Sequence, residues 1–185
     1  KYLARKDAST IGILGAGFQA PTQLEAVCRV RNIKSAKVFN RTRVKGIKLA
    51  SEASSKLGID IMSVDSPEEC VRDSDVVITI TSSSDPIVLG EWIKPGAHIN
   101  AAGSNHHKRR EIDQETVIRA DVVSTDDVDQ AKTECGDLIK PIQQGVIGWK
   151  NVDELSDILV GKSVGRMSDT DITLFESQGV ALEDI

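Results

Sequence analysis

The sequence has few aromatic residues, few cysteines and no long hydrophobic run. Aromatic residues make up 3% of the 185 residues, which leaves no series of rings on which nucleic-acid bases could stack. Cys28, Cys70 and Cys135 are odd in number and far apart, so we interpret them as reduced thiols of a cytoplasmic protein rather than a disulfide framework. No apolar stretch approaches the ~20 residues that a membrane-spanning helix needs, and no signal-peptide pattern is present.

The overall composition favours an ordinary globular domain. Hydrophobic residues make up 39% of the chain and charged residues 28%, which is enough for a packed core. The net charge of -5 and the pI of about 5.3 argue against a nucleic-acid or anionic membrane surface. We therefore expect neither a nucleic-acid nor a membrane partner.

Short apolar runs alternate with helical patterns along most of the chain. The apolar runs are residues 10–14, 36–39, 59–64, 75–80, 97–103 and 120–126, with a last β-like run at 171–177. After residue 126 the pattern loosens into helical stretches at 128–134 and 152–160. Regular strand–helix alternation predicts an α/β fold with a doubly wound parallel sheet and helices on both faces.

The first apolar run meets a glycine-rich corner that fits G-x-G-x-x-G/A. The corner spans residues 15–20 and includes Gly15, Gly17, Phe18, Gln19 and Ala20. An amphipathic helical pattern follows directly. In this setting Gly15 permits the tight turn, Gly17 leaves room for a pyrophosphate, and Ala20 lets helix and strand pack closely. The helix N-terminus would then hold the phosphates, which predicts a Rossmann-type dinucleotide site. The alternative is a glycine turn that binds nothing.

The end of the second predicted strand indicates which dinucleotide is preferred. The sequence there is Asn40, Arg41, Thr42 and Arg43, without the acidic residue that an NAD site uses to hold the ribose hydroxyls. Guanidinium groups can pair with a 2′-phosphate, and Thr42 can add a hydroxyl donor. We therefore expect NADP(H) to be preferred, with NAD(H) possible. If both arginines are merely solvated, NAD(H) should bind comparably.

Two polar loops follow the fourth and fifth predicted strands, where a doubly wound sheet binds its ligands. The first contains Thr81, Ser82 and Ser83, which suit hydroxyl contacts to the ribose and nicotinamide, although an ordinary turn before Pro86 is the alternative.

The second loop contains Gly103, Ser104, Asn105, His106 and His107, and it could face the nicotinamide and the substrate. Its two histidines are adjacent and therefore cannot share a metal ion as i,i+4 ligands would, so we predict no metal site.

Together these stretches resemble the ornithine cyclodeaminase/mu-crystallin family. The matching motifs are GAGFQAPTQLEA, NRT, DVVITITSSSDPIVLGEWIKPGAHINAAGSN, RREID and DITLFESQGVALEDI, which cover nearly the whole chain. The resemblance implies a Rossmann domain joined to a second domain that binds substrate and forms a homodimer. It also implies hydride exchange between a nicotinamide cofactor and the α-carbon of a small amino or imino acid, as in alanine dehydrogenases and cyclic ketimine reductases.

The resemblance also implies roles for individual residues. It places Gly15, Gly17, Gln19 and Ala20 at the pyrophosphate, and Asn40 to Arg43 on the adenosine side, as in the NADPH-using mu-crystallin branch. It places Thr81 to Ser83, with Ser177 and Gly179, toward the nicotinamide. Phe18, Gly103 and Ser104 complete the candidate cofactor-binding set.

Asn105 is the candidate catalytic residue and marks a departure from the family pattern. Cyclodeaminases carry an aspartate at the matching position, and an amide cannot accept a proton as a carboxylate does. Asn105 can still form a hydrogen bond to a substrate amine or to water. This favours a dehydrogenase or imine reductase, and it leaves an ornithine cyclodeaminase and a non-catalytic NADPH-binding protein as alternatives.

Both ends of the sequence read like helices that continue, since it begins KYLARKDAS and ends GVALEDI. We expect a segment of a larger protein. In this view residues 1–9 end a connecting helix, residues 10–165 form the Rossmann domain, and residues 166–185 return toward a largely missing substrate domain. Such a segment should bind cofactor but turn over little or nothing.

Overall fold

A single parallel sheet organises the chain in the computed structural model, which describes residues 1–103 and 105–179. Within these residues the sheet has eight strands, in the order β3-β2-β1-β4-β5-β8-β6-β7. The strands are β1 (Thr10–Leu14), β2 (Ser35–Phe39), β3 (Asp60–Ser63), β4 (Val76–Thr79), β5 (His98–Ala101), β6 (Val122–Thr125), β7 (Val152–Glu154) and β8 (Thr173–Glu176). The predicted Rossmann-type fold is confirmed.

Helices connect the strands and cover both faces of the sheet. They are α1 (Ala20–Val30), α2 (Arg43–Leu57), α3 (Pro67–Val71), α4 (Gln114–Arg119), α5 (Val128–Glu134), α6 (Gly136–Gln143) and α7 (Leu155–Leu159), with short 3₁₀ turns at Gly90–Trp92 and Trp149–Asn151. Side chains cap several of them, since Ser66, Asp113 and Asp127 each accept the N–H of the residue three positions on. In the described part of the chain no helix is both long and apolar enough to cross a membrane.

The apolar residues form two cores, one against each face of the sheet. Neighbouring residues of one strand belong to different cores: Ile13 packs with α1 and α2, whereas Leu14 packs with the other core. Val77 and Ile78 of β4 divide in the same way. Because successive side chains of a strand point to opposite faces, this division explains why β4 reads as a continuous apolar run.

The order of the strands reverses at β1, and this reversal creates a place for a ligand. β2 and β3 lie on one side of β1, whereas β4 and β5 lie on the other. The register aligns the carboxyl ends of neighbouring strands, with Leu14 opposite both Phe39 and Thr79, and Thr79 opposite Ala101. In open α/β sheets the crevice outside these ends is where ligands bind.

Two features of the second half differ from the sequence-based expectation. The predicted helix at 152–160 is wrong for its first residues, because Val152–Glu154 pairs with β6 as strand β7 and only Leu155–Leu159 is helical. Helix α6, which contains Pro141, lies outside the helical stretches that the sequence predicts. Strand β8 falls within the predicted β-like run at 171–177 and lies in the middle of the sheet, between β5 and β6.

Candidate functional site

The glycine corner between β1 and α1 forms the floor of the site. Gly15 has a φ of 111°, and a Cβ there would lie 2.3 Å from the carbonyl oxygen of Ile80, so only glycine fits. A Cβ on Gly17 would have no atom within 4 Å, so the space next to Gly17 is open. Ala20 is fully buried under the corner, as its small size predicts. Gly15 is thus required by the fold, whereas Gly17 leaves room for something outside it.

The helix N-terminus at this corner presents free hydrogen-bond donors. In the described part of the chain the backbone N–H groups of Gly17, Phe18 and Gln19 have no acceptor. These donors, with the positive end of the dipole of α1, are what an anionic phosphate group requires. The corner therefore has the donor set of a pyrophosphate site. The side chains of Phe18, which is 99% exposed, and of Gln19 point away from the core.

Asn40 connects this corner to the end of β2. Its side-chain oxygen accepts the backbone N–H of Ala16 at 3.1 Å, and its side-chain nitrogen donates to the carbonyl of Thr42 at 2.9 Å. Both groups of the amide are therefore used within the protein. Asn40 fixes the spacing between the corner and the loop after β2.

A cleft of about 570 Å³ opens above the corner. It is lined by residues 15–17, 39–42 and 80–85, together with Lys45 and Ile87. The lining thus combines the ends of β1, β2 and β4, which is the region that the strand order marks for a ligand.

The basic residues after β2 divide between the cleft and the surface. Arg41 and Thr42 line the cleft, as does Lys45, which the sequence-based reasoning missed. Arg43 forms an ion pair with Asp65, with its Nη1 atom 2.8 Å from the carboxylate, and it does not line the cleft. Lys45 could have been found by noting that it lies in the first turn of α2, close to Arg41.

The serine-rich loop after β4 forms the opposite wall. Ser82 and Ser83 line the cleft with Thr81, as do Ser84 and Asp85. Within the loop, Thr81 Oγ1 accepts the N–H of Ser83 at 3.1 Å, and Ser83 Oγ donates to the carbonyl of Asp85 at 2.6 Å. These bonds give the loop a defined shape.

A buried carboxylate that the sequence-based reasoning also missed lies behind this wall. Glu111 is completely buried, and its carboxylate accepts the backbone N–H groups of Thr81 at 2.6 Å and of Gly103 at 2.8 Å, as well as the hydroxyl of Thr79 at 2.8 Å. Burial raises the pKa of Glu111 above its ordinary value, and the hydrogen bonds from Thr81, Thr79 and Gly103 oppose that change.

A second carboxylate holds the segment after β8. Asp126 Oδ2 accepts the hydroxyl of Ser177 at 3.2 Å and the backbone N–H groups of Gln178 at 2.8 Å and Gly179 at 2.9 Å. Ser177 and Gly179, two predicted cofactor-binding residues, therefore lie at the end of β8 beside the end of β6 and do not line the cleft.

Glu176 adds a further buried acid beneath these loops. It is completely buried at the carboxyl end of β8, with its Oε2 atom 3.5 Å from Cys135 Sγ. Burial and the nearby charge of Asp137 raise the pKa of Glu176 well above its ordinary value.

The loop after β5 carries the candidate catalytic residue. Asn105 is exposed, and Ser104 lies outside the described residues. The rings of His106 and His107 stack with centroids 4.5 Å apart. Within residues 1–103 and 105–179 no group of three His, Cys, Asp or Glu side chains could hold a metal ion.

The parallel sheet, the bare glycine corner with its free N–H donors, and the cleft where the strand order reverses define a Rossmann-type α/β domain with a candidate nucleotide site. Residues 1–185 match the model of the ornithine cyclodeaminase/mu-crystallin family over their whole length. The chain belongs to this family.

Solved structures and characterised relatives agree with this assignment. The structure of the Thermococcus litoralis Δ1-pyrroline-2-carboxylate reductase in complex with NADH and L-proline has a TM-score of 0.96 and 44% identity, covering 99% of this chain and 57% of that one. An archaeal alanine dehydrogenase dimer with bound NAD has a TM-score of 0.91 and 38% identity, covering 99% of this chain and 56% of that one. The ketimine reductase mu-crystallin of Rattus norvegicus is 35% identical over 185 residues, which are 100% of this chain and 55% of that protein. The chain therefore spans little more than half the length of these relatives.

Proposed function

We propose that this chain is the cofactor-binding part of a nicotinamide-dependent oxidoreductase that acts on a small amino or imino acid. The observation that carries the proposal is the corner at Gly17, where free N–H donors face an open cleft at the ends of β1, β2 and β4. The activities named for the relatives, pyrroline-carboxylate reduction, alanine dehydrogenation and ketimine reduction, support the substrate class.

The chain's residues would bind and orient the cofactor, and the bound nicotinamide would supply or accept the hydride. The N–H groups of residues 17–19 would hold the pyrophosphate, and the loop of Thr81, Ser82 and Ser83 would form the wall on the nicotinamide side. Asn105, exposed on the loop after β5, would form a hydrogen bond to the substrate nitrogen or to water. Such positioning supplies much of the rate in a reaction that needs no protein nucleophile.

For the cofactor, we propose a preference for NADP(H) over NAD(H). Arg41 and Lys45 are both cationic and line the cleft at the end of β2, where the adenosine ribose would lie, and none of the described carboxylates lines this end of the cleft. Two of the relatives were solved with NADH or NAD, so binding of NAD(H) to this chain is the competing outcome.

We further propose that the protein acts as a homodimer in the cytoplasm. The archaeal alanine dehydrogenase structure is a dimer, which supports the first part. Cys28, Cys70 and Cys135 are free thiols in the described chain, which supports a reducing compartment.

The experiment that tests the activity follows the absorbance of reduced nicotinamide with the complete gene product. NADPH or NADH is mixed with Δ1-pyrroline-2-carboxylate, or with pyruvate and ammonium. We expect the absorbance to fall with at least one of these pairs. Tight cofactor binding without oxidation by either would instead indicate a non-catalytic binding protein, and release of ammonia from ornithine would indicate a cyclodeaminase.

A further inference from the structure

We propose that Glu111 is a positioning residue, whose buried carboxylate sets the separation of the two loops that hold the nicotinamide half of the cofactor. This inference rests on the proposed dinucleotide site. Glu111 is completely buried and lies outside the cleft lining, so it would act through the loops rather than by touching the cofactor.

The carboxylate joins the ends of two neighbouring strands. One oxygen accepts the N–H of Thr81, the second residue after β4, at 2.6 Å. The other accepts the N–H of Gly103, the second residue after β5, at 2.8 Å, and also the hydroxyl of Thr79 at 2.8 Å. The two loops therefore share one acceptor group, and their separation depends on its length and on its two oxygens.

The backbone of Glu111 holds the far end of the same serine-rich loop. Its carbonyl oxygen accepts the N–H groups of Ile87 at 2.9 Å and Val88 at 3.0 Å. The loop that begins at Thr81 thus forms hydrogen bonds to Glu111 at both of its ends, while its middle forms the wall of the cleft. A single residue controls how far that wall stands from the glycine corner.

Helix α6 in turn holds Glu111 in place. Asp137 Oδ1 accepts the backbone N–H of Glu111 at 2.9 Å and that of Ile112 at 3.1 Å. Asp137 is completely buried at the start of α6, so the contact is shielded from water. The position of Glu111 is therefore set by the outer layer of the domain as well as by the sheet.

The arrangement requires a carboxylate, and an amide of the same size would not serve. Both oxygens accept from backbone N–H groups, so the amide nitrogen of a glutamine would face a donor at one of the two positions. A Cβ at Gly103 would lie 2.4 Å from the carbonyl of Thr81, which shows how closely the two loops approach. An isosteric Glu111→Gln change should therefore push the loops apart while leaving the volume of the side chain unchanged.

The test compares two ligands by calorimetric titration of the chain and its Glu111→Gln variant. NADH spans the whole proposed site, whereas ADP carries the adenosine and diphosphate but neither the second ribose nor the nicotinamide. We expect the variant to lose about tenfold in affinity for NADH, the effect of losing one hydrogen bond to a charged group, while its affinity for ADP stays unchanged. Glu115→Gln, on the exposed face of α4, is the matched control and should change neither.

An equal loss of affinity for both ligands would indicate a general structural role and would overturn the inference, as would no loss for either. If the unmodified chain binds neither ligand, the proposed function fails before the role of Glu111 is reached. Thr79→Val provides a milder variant, since it removes one hydroxyl bond to the carboxylate without changing the buried volume. It should lower the affinity for NADH alone by about threefold, and it decides the question if Glu111→Gln does not fold.

Discussion

The side-chain oxygen of Asn40 accepts the backbone N–H of Ala16 at 3.1 Å, across the gap between the ends of β2 and β1. The amide nitrogen of Asn40 meanwhile donates to the carbonyl of Thr42 at 2.9 Å. An amide side chain can accept on one side and donate on the other without carrying a charge. Asn40 therefore orders the end of the cleft beside β2 without bringing negative charge to it.

Replacing Asn40 with Asp should change cofactor preference. The carboxylate keeps the bond to Ala16, loses the donor to Thr42 and places a negative charge where a 2′-phosphate would bind. We expect the affinity for NADPH to fall by about tenfold relative to that for NADH, measured by titration of nicotinamide fluorescence. Asn32→Asp makes the same charge change on an exposed loop and should leave the ratio unaltered. An unchanged ratio in Asn40→Asp would argue against a phosphate site there.

The glycine corner allows binding to be separated from folding. A Cβ at Gly17 would meet no protein atom within 4 Å, so Gly17→Ala should leave the melting temperature nearly unchanged while obstructing a pyrophosphate. We expect at least about a tenfold loss of dinucleotide affinity by calorimetry. Gly148→Ala, at a position outside the cleft where the nearest atom to a Cβ is 3.5 Å away, is the control. Full retention of affinity in Gly17→Ala would contradict a pyrophosphate at this corner.

The cations after β2 should contribute unequally to NADPH binding. Arg41 and Lys45 line the cleft, whereas Arg43 is paired with Asp65 at 2.8 Å. We expect alanine at Arg41 or Lys45 to weaken NADPH binding by about tenfold each and NADH binding by much less, since a phosphate contact to a cation is lost. Arg43→Ala should have little effect and provides the internal control. Equal affinities for NADPH and NADH in the unmodified chain would remove the proposed preference.

The sequence predicts the fold here better than it predicts the contacts of the site. Strands β1 and β4 are continuous apolar runs because both faces of the sheet are covered, and the corner at Gly15 has a recognisable spacing. Strand β7 has only three residues, and its strand character comes from pairing with β6, which the local pattern does not encode.

The contacts that the sequence did not reveal are pairings between distant residues. Asp65, the partner of Arg43, lies 22 positions further along the chain, so the ion pair depends on how α2 and β3 pack. Glu111 reads as a surface acid of a polar loop, and nothing local indicates that it is buried against the ends of β4 and β5. Only the three-dimensional fold brings such donors and acceptors together.

The amino ends of the strands, opposite the cleft, offer a test of stability that should leave the candidate cofactor site intact. Asp75 lies just before β4, and its Oδ1 atom is 2.8 Å from Arg5 Nη2 and 2.9 Å from Lys94 Nζ. Its Oδ2 atom accepts the backbone N–H of Thr10 at 3.1 Å. Burial acts to raise the pKa of Asp75, but the bonds from Lys94, Ser9 and Thr10 prevail and hold that pKa well below its ordinary value.

Asp75→Asn should therefore lower the free energy of unfolding by about 3 kcal/mol, because it removes the buried charge that pairs with the half-buried Arg5 and Lys94. Chemical denaturation at neutral pH measures this loss, and dinucleotide affinity under native conditions should not change. Asp73→Asn is the control, since Asp73 is exposed and has a φ of 65°, which asparagine tolerates. Because the pKa of Asp75 is lowered by folding, its contribution is present at neutral pH and is lost as the pH falls below the ordinary carboxyl range.

His98 should make stability depend on pH in a different range. It is buried, with Nδ1 2.8 Å from Thr173 Oγ1 and Nε2 2.9 Å from Asn100 Oδ1. Burial, with the charge of Arg166 as a smaller contribution, lowers the pKa of His98 from 6.5 to about 4. The unfolded chain therefore takes up a proton before the folded one, and stability should fall by about 3 kcal/mol between pH 6.5 and 4.

Denaturation curves recorded across this pH range measure the effect. His98→Gln should flatten the dependence even if it lowers stability at neutral pH, whereas His106→Gln, at an exposed position, should leave the slope as it is. Parallel slopes for the unmodified chain and His98→Gln would show that other groups cause the change.

Strand β8 has a consequence for how the domain is assembled. Within the described residues it is the last strand in sequence, yet it lies between β5 and β6 and is the one strand that joins the first five strands to the pair β6 and β7. During synthesis the N-terminal half can pair as soon as β5 emerges, but β6 and β7 have no edge to join until residue 176 has left the ribosome. Until then the edge of β5 is open to strands from other molecules, so this domain depends on the prompt arrival of its final strand to avoid aggregation.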